Sequence, residues 1–231
     1  MPRQNRVTPW GEVIATPARG TFMGNRGRLH DDQARIRRSW DGKRWIICRV
    51  EFRGRRRQVM KPGSYTELFF LDEATALAAG HRPCGECMRE RSAEFREAWR
   101  LGNPGLPAGG RVSPGHLDAR LHEERLLGGV QRTHRRPLEG LPTGSFVRVG
   151  ADRMPFLVLG DRLLRWTPYG YADPVPRPSS SDVEVLTPPS IVEALRAGYR
   201  PRLHASARAY AQEDDLLSDP PSLFDSLEEG G

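Results

Sequence analysis

Apolar and polar residues alternate from Trp45 to Phe52. Ile46, Cys48, Val50 and Phe52 fall on one face, with Ile47, Arg49 and Glu51 on the other, the period-two pattern of a half-buried strand. Gln58–Met60 and Tyr65–Leu71 predict two further strands, separated by a Lys61-Pro62-Gly63-Ser64 turn. At Asp72 the period lengthens. Asp72 is a good N-cap, Ala74, Leu77 and Ala78 form an apolar side, and Gly80 ends a short helix. Ser92–Leu101 predicts a second helix, with Phe95 and Trp99 one turn apart. The uncharged Gly/Pro run over 102–110 reads as a linker.

Beyond the linker, Ser113-Pro114 is an N-cap followed by proline at the first helical position. Leu117, Leu121 and Leu127 then predict an amphipathic helix ending at Gly128-Gly129. Ser145–Val149 and Phe156–Trp166 predict hairpin strands, the latter turning at Gly160-Asp161, and Val183–Leu186 predicts a short strand. Ile191, Val192 and Leu195 give an inward face to a last helix over 188–197. The fold class expected is α+β. A small strand/helix module spans 1–101, the linker 102–110, a mixed helix/hairpin module 111–205 and an acidic tail 206–231, whose composition from Ala211 onward is that of a disordered segment.

Charge sharpens this division. Residues 1–208 carry all 36 Lys and Arg and 22 of the 29 acids, net +14, while 209–231 carry seven acids and no base. A body this basic suits a polyanion, most simply nucleic acid, DNA more than RNA. Lys43 to Lys61 holds eight bases (Lys43, Arg44, Arg49, Arg53, Arg55, Arg56, Arg57 and Lys61) against Glu51 alone. Arg53-Gly54-Arg55-Arg56-Arg57 reads as an arginine-rich hairpin tip able to track phosphates. The longest strongly apolar run is Leu68–Leu71, far short of the roughly 20 residues of a membrane span. The charged opening MPRQNRVTPW has no apolar leader core, so the expected location is the cytoplasm.

Cys84-Gly85-Glu86-Cys87 is the strongest chemical signal. Two thiolates at this spacing can both reach one Zn²⁺ at about 2.3 Å. The chain has one further cysteine, Cys48, so a four-ligand site needs a histidine or carboxylate as well. His30 is the first candidate and His81 the alternative; Cys48 reads equally as a ligand or as a buried apolar residue. A redox dithiol is the competing reading. It loses ground because the motif follows a helix and a proline rather than a strand.

Residues 65–87, YTELFFLDEATALAAGHRPCGEC, resemble the second half of the metal-binding domain of the Ada DNA-repair protein. The shared features are a strand ending in Phe, a small Ala/Glu-rich helix ending Ala-Gly, Arg-Pro-Cys, and a second Cys three residues on. The resemblance covers about a tenth of the chain. It implies a zinc-holding α+β module that contacts DNA. The family also carries Cys-x-x-x-Cys before the strand, one of whose thiolates accepts a methyl group from a DNA phosphotriester. The corresponding stretch here, Arg53–Met60, has no cysteine, so that activity is not carried over.

Other patterns point elsewhere. Asp118, His122 and Arg125 share one side of a helix, with Glu123 beside them, a candidate hydrolytic face for a metal-dependent nuclease or other phosphoryl hydrolase. Trp166, Tyr169 and Tyr171 are aromatics that either stack on bases or plug a core. Leu223-Phe224 in the acidic tail has the look of a peptide ligand for a protein partner. The function expected is that of a zinc-binding, nucleic-acid-binding protein serving DNA repair or processing, with structural zinc. The alternatives are the hydrolase and a redox-switch interaction protein.

Overall fold

The computed structural model describes residues 1–54, 58–105, 112–179 and 182–211. They form an α+β fold of two six-stranded sheets with helices between and around them. The first sheet is built from β1 (Gln4–Val7), β2 (Val13–Ala15), β3 (Phe22–Asn25), β4 (Ile46–Arg49), β5 (Leu68–Phe70) and β6 (Arg82–Pro83), in the order β2-β1-β5-β3-β4-β6. β1–β5 and β4–β6 run parallel and the other pairs antiparallel. α1 (Glu73–Ala78) joins β5 to β6, and α2 (Arg89–Gly102) follows β6.

α3 (Pro114–Arg125) opens the second half, with Ser113 capping the His116 N–H as its sequence predicts. A small hairpin, β7 (Leu126–Leu127) and β8 (Val130–Gln131), comes next. The second sheet contains β9 (His134–Pro137), β10 (Phe146–Arg148), β11 (Pro155–Leu159), β12 (Arg162–Thr167), β13 (Gly170–Pro176) and β14 (Asp182–Val185). It is antiparallel, in the order β13-β12-β11-β10-β14-β9. α4 (Pro189–Arg196) and the short α5 (Ala205–Arg208) end the described chain.

Alternation divides the second sheet between two cores. Leu157, Leu159, Leu164 and Trp166 pack toward α1, while Val147, Val158, Leu163 and Val185 pack toward α4. The first core gathers Phe95 and Trp99 of α2, Leu117 and Leu121 of α3, Ile47 and Leu68 of the sheet, and Ile191 and Leu195 of α4. Each such side chain contributes about 1.5–3 kcal/mol by leaving water. α4 lies so close to α2 that a Cβ on Gly102 would stand 2.2 Å from the Glu193 carbonyl oxygen. The cores therefore draw on residues from both sides of the 102–110 stretch, of which 106–111 lie outside the described residues.

α1 is buried on every side, not on one face as its pattern suggested. Two carboxylates explain this. Asp72 caps Thr75 N at 2.8 Å and also accepts from the Tyr171 hydroxyl at 2.7 Å and His204 N at 3.0 Å. Glu73, fully buried, accepts from Arg91 Nη2 and Arg202 N, each at 2.9 Å, and from the Tyr199 hydroxyl. One helical start thus fastens the second sheet, α2 and the C-terminal segment together. Gly80 adopts φ +80°, which only glycine takes without strain, and leaves room for Arg125.

Several elements differ from expectation. The strand at Trp45–Phe52 shortens to β4, because β3 pairs only with Ile46 through Arg49, and Val50 is exposed. Ile47 and Cys48 are both buried, so both faces of β4 are covered there. Gln58–Met60 is no strand: Met60 has φ +59° and its N–H is held by the Glu67 carboxylate at 2.7 Å. α3 stops at Arg125, and Gly128-Gly129 turns the β7–β8 hairpin instead of ending the helix. β13 runs through Pro174 and Pro176, which a sheet edge tolerates since no ladder N–H is needed on its outer side. Residues 205–211 continue the fold, with Ala207 buried in the core beside α1; the rest of the expected tail, Leu223 and Phe224 included, lies outside the described residues. Among the described residues no helix is long and apolar enough to cross a membrane.

Glu73→Ala strips partners from Arg91, Tyr199 and the Arg202 amide at once. The expected loss is about 3–5 kcal/mol, read from the urea midpoint. Glu73→Gln, which keeps shape and one acceptor, should fall between wild type and Glu73→Ala.

Candidate metal centre and its basic rim

The cysteines meet because of strand register. β4 and β6 are parallel with Ile46 opposite Arg82 and Ile47 opposite Pro83, so one more step sets Cys48 beside Cys84. Cys84 N donates to the Ile47 carbonyl at 2.9 Å, which extends that pairing. Pro83, lacking an N–H, is tolerated because β6 is the sheet's outer strand. The chain then turns tightly. Met88 N donates to the Cys84 carbonyl at 3.1 Å, and α2 starts at Arg89. The turn brings Cys87 back, and the three Sγ atoms lie within 4.8 Å of one another. All three are free thiols and nearly buried.

The surroundings favour negative sulfur. Glu86 N donates to Cys84 Sγ at 3.4 Å, the Cys87 amide also points at Cys84, and the Arg49 amide points at Cys87. The start of a fourteen-residue helix follows directly, and its dipole favours an anion there. Hydrogen bonds from the Cys48 and then the Cys87 thiols push Cys84 far down. Donating to Cys84 and Cys87, together with burial, pushes Cys48 far up. Cys87 receives a bond from Cys48, but neighbouring Cys84 and burial leave it raised. The three sulfurs are thus coupled through their protons. A metal ion replaces those protons, since only thiolates ligate. Three converging sulfurs can therefore hold a metal ion.

Neither histidine singled out by sequence joins the thiols. His30 is buried with Nδ1 2.6 Å from Thr66 Oγ1 and Nε2 3.2 Å from the Lys61 carbonyl oxygen. His81 is buried between the rings of Trp45 and Phe70, at 5.1 and 4.8 Å. Among the described residues no His, Asp or Glu completes the three-thiol group.

Two clefts flank the thiol turn. One, of about 600 Å³, touches Cys84 and is lined by Arg44, Arg82, Arg89 and Arg96. The other, of about 420 Å³, touches Cys87 and is lined by Arg49, Arg53, Arg89 and Arg202. The side chains of Arg44, Arg49, Arg53 and Arg89 are exposed and make no ion pair among the described residues. Arg53 lies over the Phe52 ring at 5.0 Å. Lys43 and Lys61 are exposed nearby in sequence, and Arg55, Arg56 and Arg57 lie outside the described residues.

The helix face at Asp118, His122 and Glu123 is placed differently. Asp118 forms a buried bidentate pair with Arg82, Oδ1 to Nε and Oδ2 to Nη2 both at 2.8 Å, and so clamps α3 onto β6. His122 Nδ1 sits 3.2 Å from Arg125 Nη2 and edge-on to Trp40; burial, then the Arg125 charge, lowers its pKa. Glu123 is exposed beside Arg120. Trp166 is a core residue bonded to Thr75, Tyr171 is buried against Asp72, and Tyr169 is exposed.

Arg82→Met should free Asp118 as an uncompensated buried carboxylate and loosen β6. The expected outcome is a loss of about 3–5 kcal/mol by urea denaturation, largely recovered when Asp118→Leu is added.

Comparison of this chain with family models, with curated proteins and with solved structures finds no match.

Proposed function

We propose that this is a zinc-binding protein that grips nucleic acid, DNA in preference to RNA, with the metal structural and the role one of repair or processing. The observation that carries the reading is the meeting of Cys48 with Cys84 and Cys87 across β4 and β6. Zn²⁺ is the choice for a sulfur-rich site because it is soft enough for thiolate and indifferent to d-electron geometry. Cys48, Cys84 and Cys87 would supply three ligands, and the ion would supply a cross-link between the sheet and the start of α2. The fourth ligand is assigned to no residue. The resemblance of residues 65–87 to the Ada metal-binding domain supports the same reading.

Nucleic acid is favoured by what surrounds the thiols. Four arginines that make no ion pair among the described residues line clefts on either side of the thiol turn, on a body of net charge +14. An arginine fork bonds phosphate oxygens bidentately. Holding the turn rigid holds these arginines at fixed spacing.

Elemental analysis of the purified protein should give one zinc per chain, and Cys84→Ser should lose the metal and lower the melting temperature. A zinc-free wild type whose Cys84–Cys87 pair closes to a disulfide under mild oxidant would favour the redox reading instead. In fluorescence anisotropy with duplex DNA, affinity should fall steeply with salt. Arg44→Gln with Arg53→Gln should reduce the log–log slope by about 1.8, at about 0.9 per phosphate contact. Divalent-ion-dependent cleavage abolished by His122→Ala would overturn the structural assignment.

A further inference from the structure

A cavity of about 410 Å³ opens elsewhere, and it shares no lining residue with the two clefts at the thiols. Trp10, Trp40 and Trp45 line it, together with Arg26, Arg125 and Gln131. Its floor is unusual in charge. Arg26 and Arg125 are each only 2% exposed, and both guanidiniums lie over the Trp45 ring, with Cζ at 4.7 and 3.7 Å from its centroid. Arg26 Nη2 donates to the Gly11 carbonyl, and Arg125 donates to the carbonyls of Gly80 and Lys43. Neither is hydrogen-bonded to a carboxylate among the described residues, and both Nε atoms are without a partner. Burial lowers their pKa, to about 10 and about 9, and leaves both protonated at neutral pH. Asp118 acts on Arg125 from nearby but is bonded bidentately to Arg82, and Arg26 has no carboxylate partner among the described residues, so the floor keeps an excess of buried positive charge that an anion would offset.

The carboxylates at the rim do not supply it. Glu12 is paired with Arg153, and Glu184 with Arg148 and Thr133. A further unmet group is an acceptor: Gln131 spends its amide nitrogen on the carbonyls of Pro9, Ala78 and Leu186, while its Oε1 is buried without a partner. Gly11 is bare at this point. A Cβ there would stand 3.5 Å from Gln131 Oε1 and 3.7 Å from Arg26 Nη1, filling the space in front of both. Trp10 and Trp40 are half-buried aromatic walls; Arg153 lies over the Trp10 ring at 4.8 Å, and His122 meets Trp40 edge-on.

We propose that this cavity binds a single nucleotide unit, its anionic group drawn to the Arg26–Arg125 floor, its base against Trp40 and Trp10, and a base N–H donated to Gln131. The ligand must be anionic, planar and a hydrogen-bond donor, and a nucleotide is all three. Its volume suits a ligand of that size. The source is either a free mononucleotide or an unpaired nucleotide of a single strand, for which stacking on tryptophan and a basic floor are the usual means of capture.

The test is tryptophan fluorescence of the full chain, titrated with the four ribonucleoside 5′-monophosphates and with a short single-stranded oligonucleotide. Saturable quenching is expected, and whichever of the two binds more tightly names the source. Inorganic phosphate and the free nucleosides should bind at least tenfold more weakly, each supplying only part of the contact set. Arg26→Gln and Trp40→Ala should each weaken binding about tenfold or more; if Arg26→Gln does not fold, the half-buried Trp40 variant decides. No saturable quenching by any nucleotide, equal binding of inorganic phosphate, or unchanged affinity in Trp40→Ala would overturn the proposal. Zinc content and duplex binding are separate readouts, so this site and the thiol centre can fail independently.

Discussion

Two backbone hydrogen bonds run from β6 to β4, Arg82 N to the Trp45 carbonyl and Cys84 N to the Ile47 carbonyl, and the thiol cluster exists because of them. Shifting a parallel ladder by one residue turns every side chain to the other face. Cys48 would then point away from the Cys84–Cys87 turn. The register is secured from outside by Arg82, whose bidentate bond to Asp118 ties the edge strand to α3. It is secured from inside by Ile47, fully buried in the first core. A metal on three sulfurs would lock the same register a third time.

Close to this ladder lies the other organising element, α1. Its two starting residues are acids with no exposure, and each joins parts of the chain more than 90 residues apart: Asp72 reaches Tyr171 and His204, Glu73 reaches Tyr199 and Arg202. Buried carboxylates are tolerable here because every one of these contacts is a hydrogen bond from a donor that also needs a partner. The basic groups around the molecule fall into two kinds. Arg82 and Arg91 are consumed by structure, paired with Asp118 and Glu73. Arg44, Arg49, Arg53 and Arg89 make no ion pair among the described residues, and they line the clefts beside the thiols together with Arg82 and Arg91.

Local chemistry was legible in the sequence, and long-range partnership was not. The caps at Asp72 and Ser113, the Gly80 stop and the Gly160-Asp161 turn are written in a few adjacent residues, and all are present. Cys84 and Cys87 could be paired from spacing alone. Cys48 could be named only because no other cysteine remained; its partner status depends on the β4–β6 register, which no local pattern encodes. His30 looked available because it precedes the strand bearing Cys48, but Thr66 and the Lys61 carbonyl already hold its ring. Asp118 looked catalytic from its helical neighbours, and the sequence carried no sign that Arg82, 36 residues earlier, would occupy it. The Arg26–Trp45–Arg125 stack was invisible for the same reason, since its members come from three distant segments.

A single ion would be held by one sulfur of β4 and two sulfurs of the turn that follows β6. X-ray absorption at the zinc edge on the purified full chain measures this directly. The account predicts three sulfur neighbours at about 2.3 Å with one lighter ligand, falling to two sulfurs in Cys48→Ser. A zinc shell of nitrogen and oxygen only, or a sulfur count unmoved by Cys48→Ser, would contradict it.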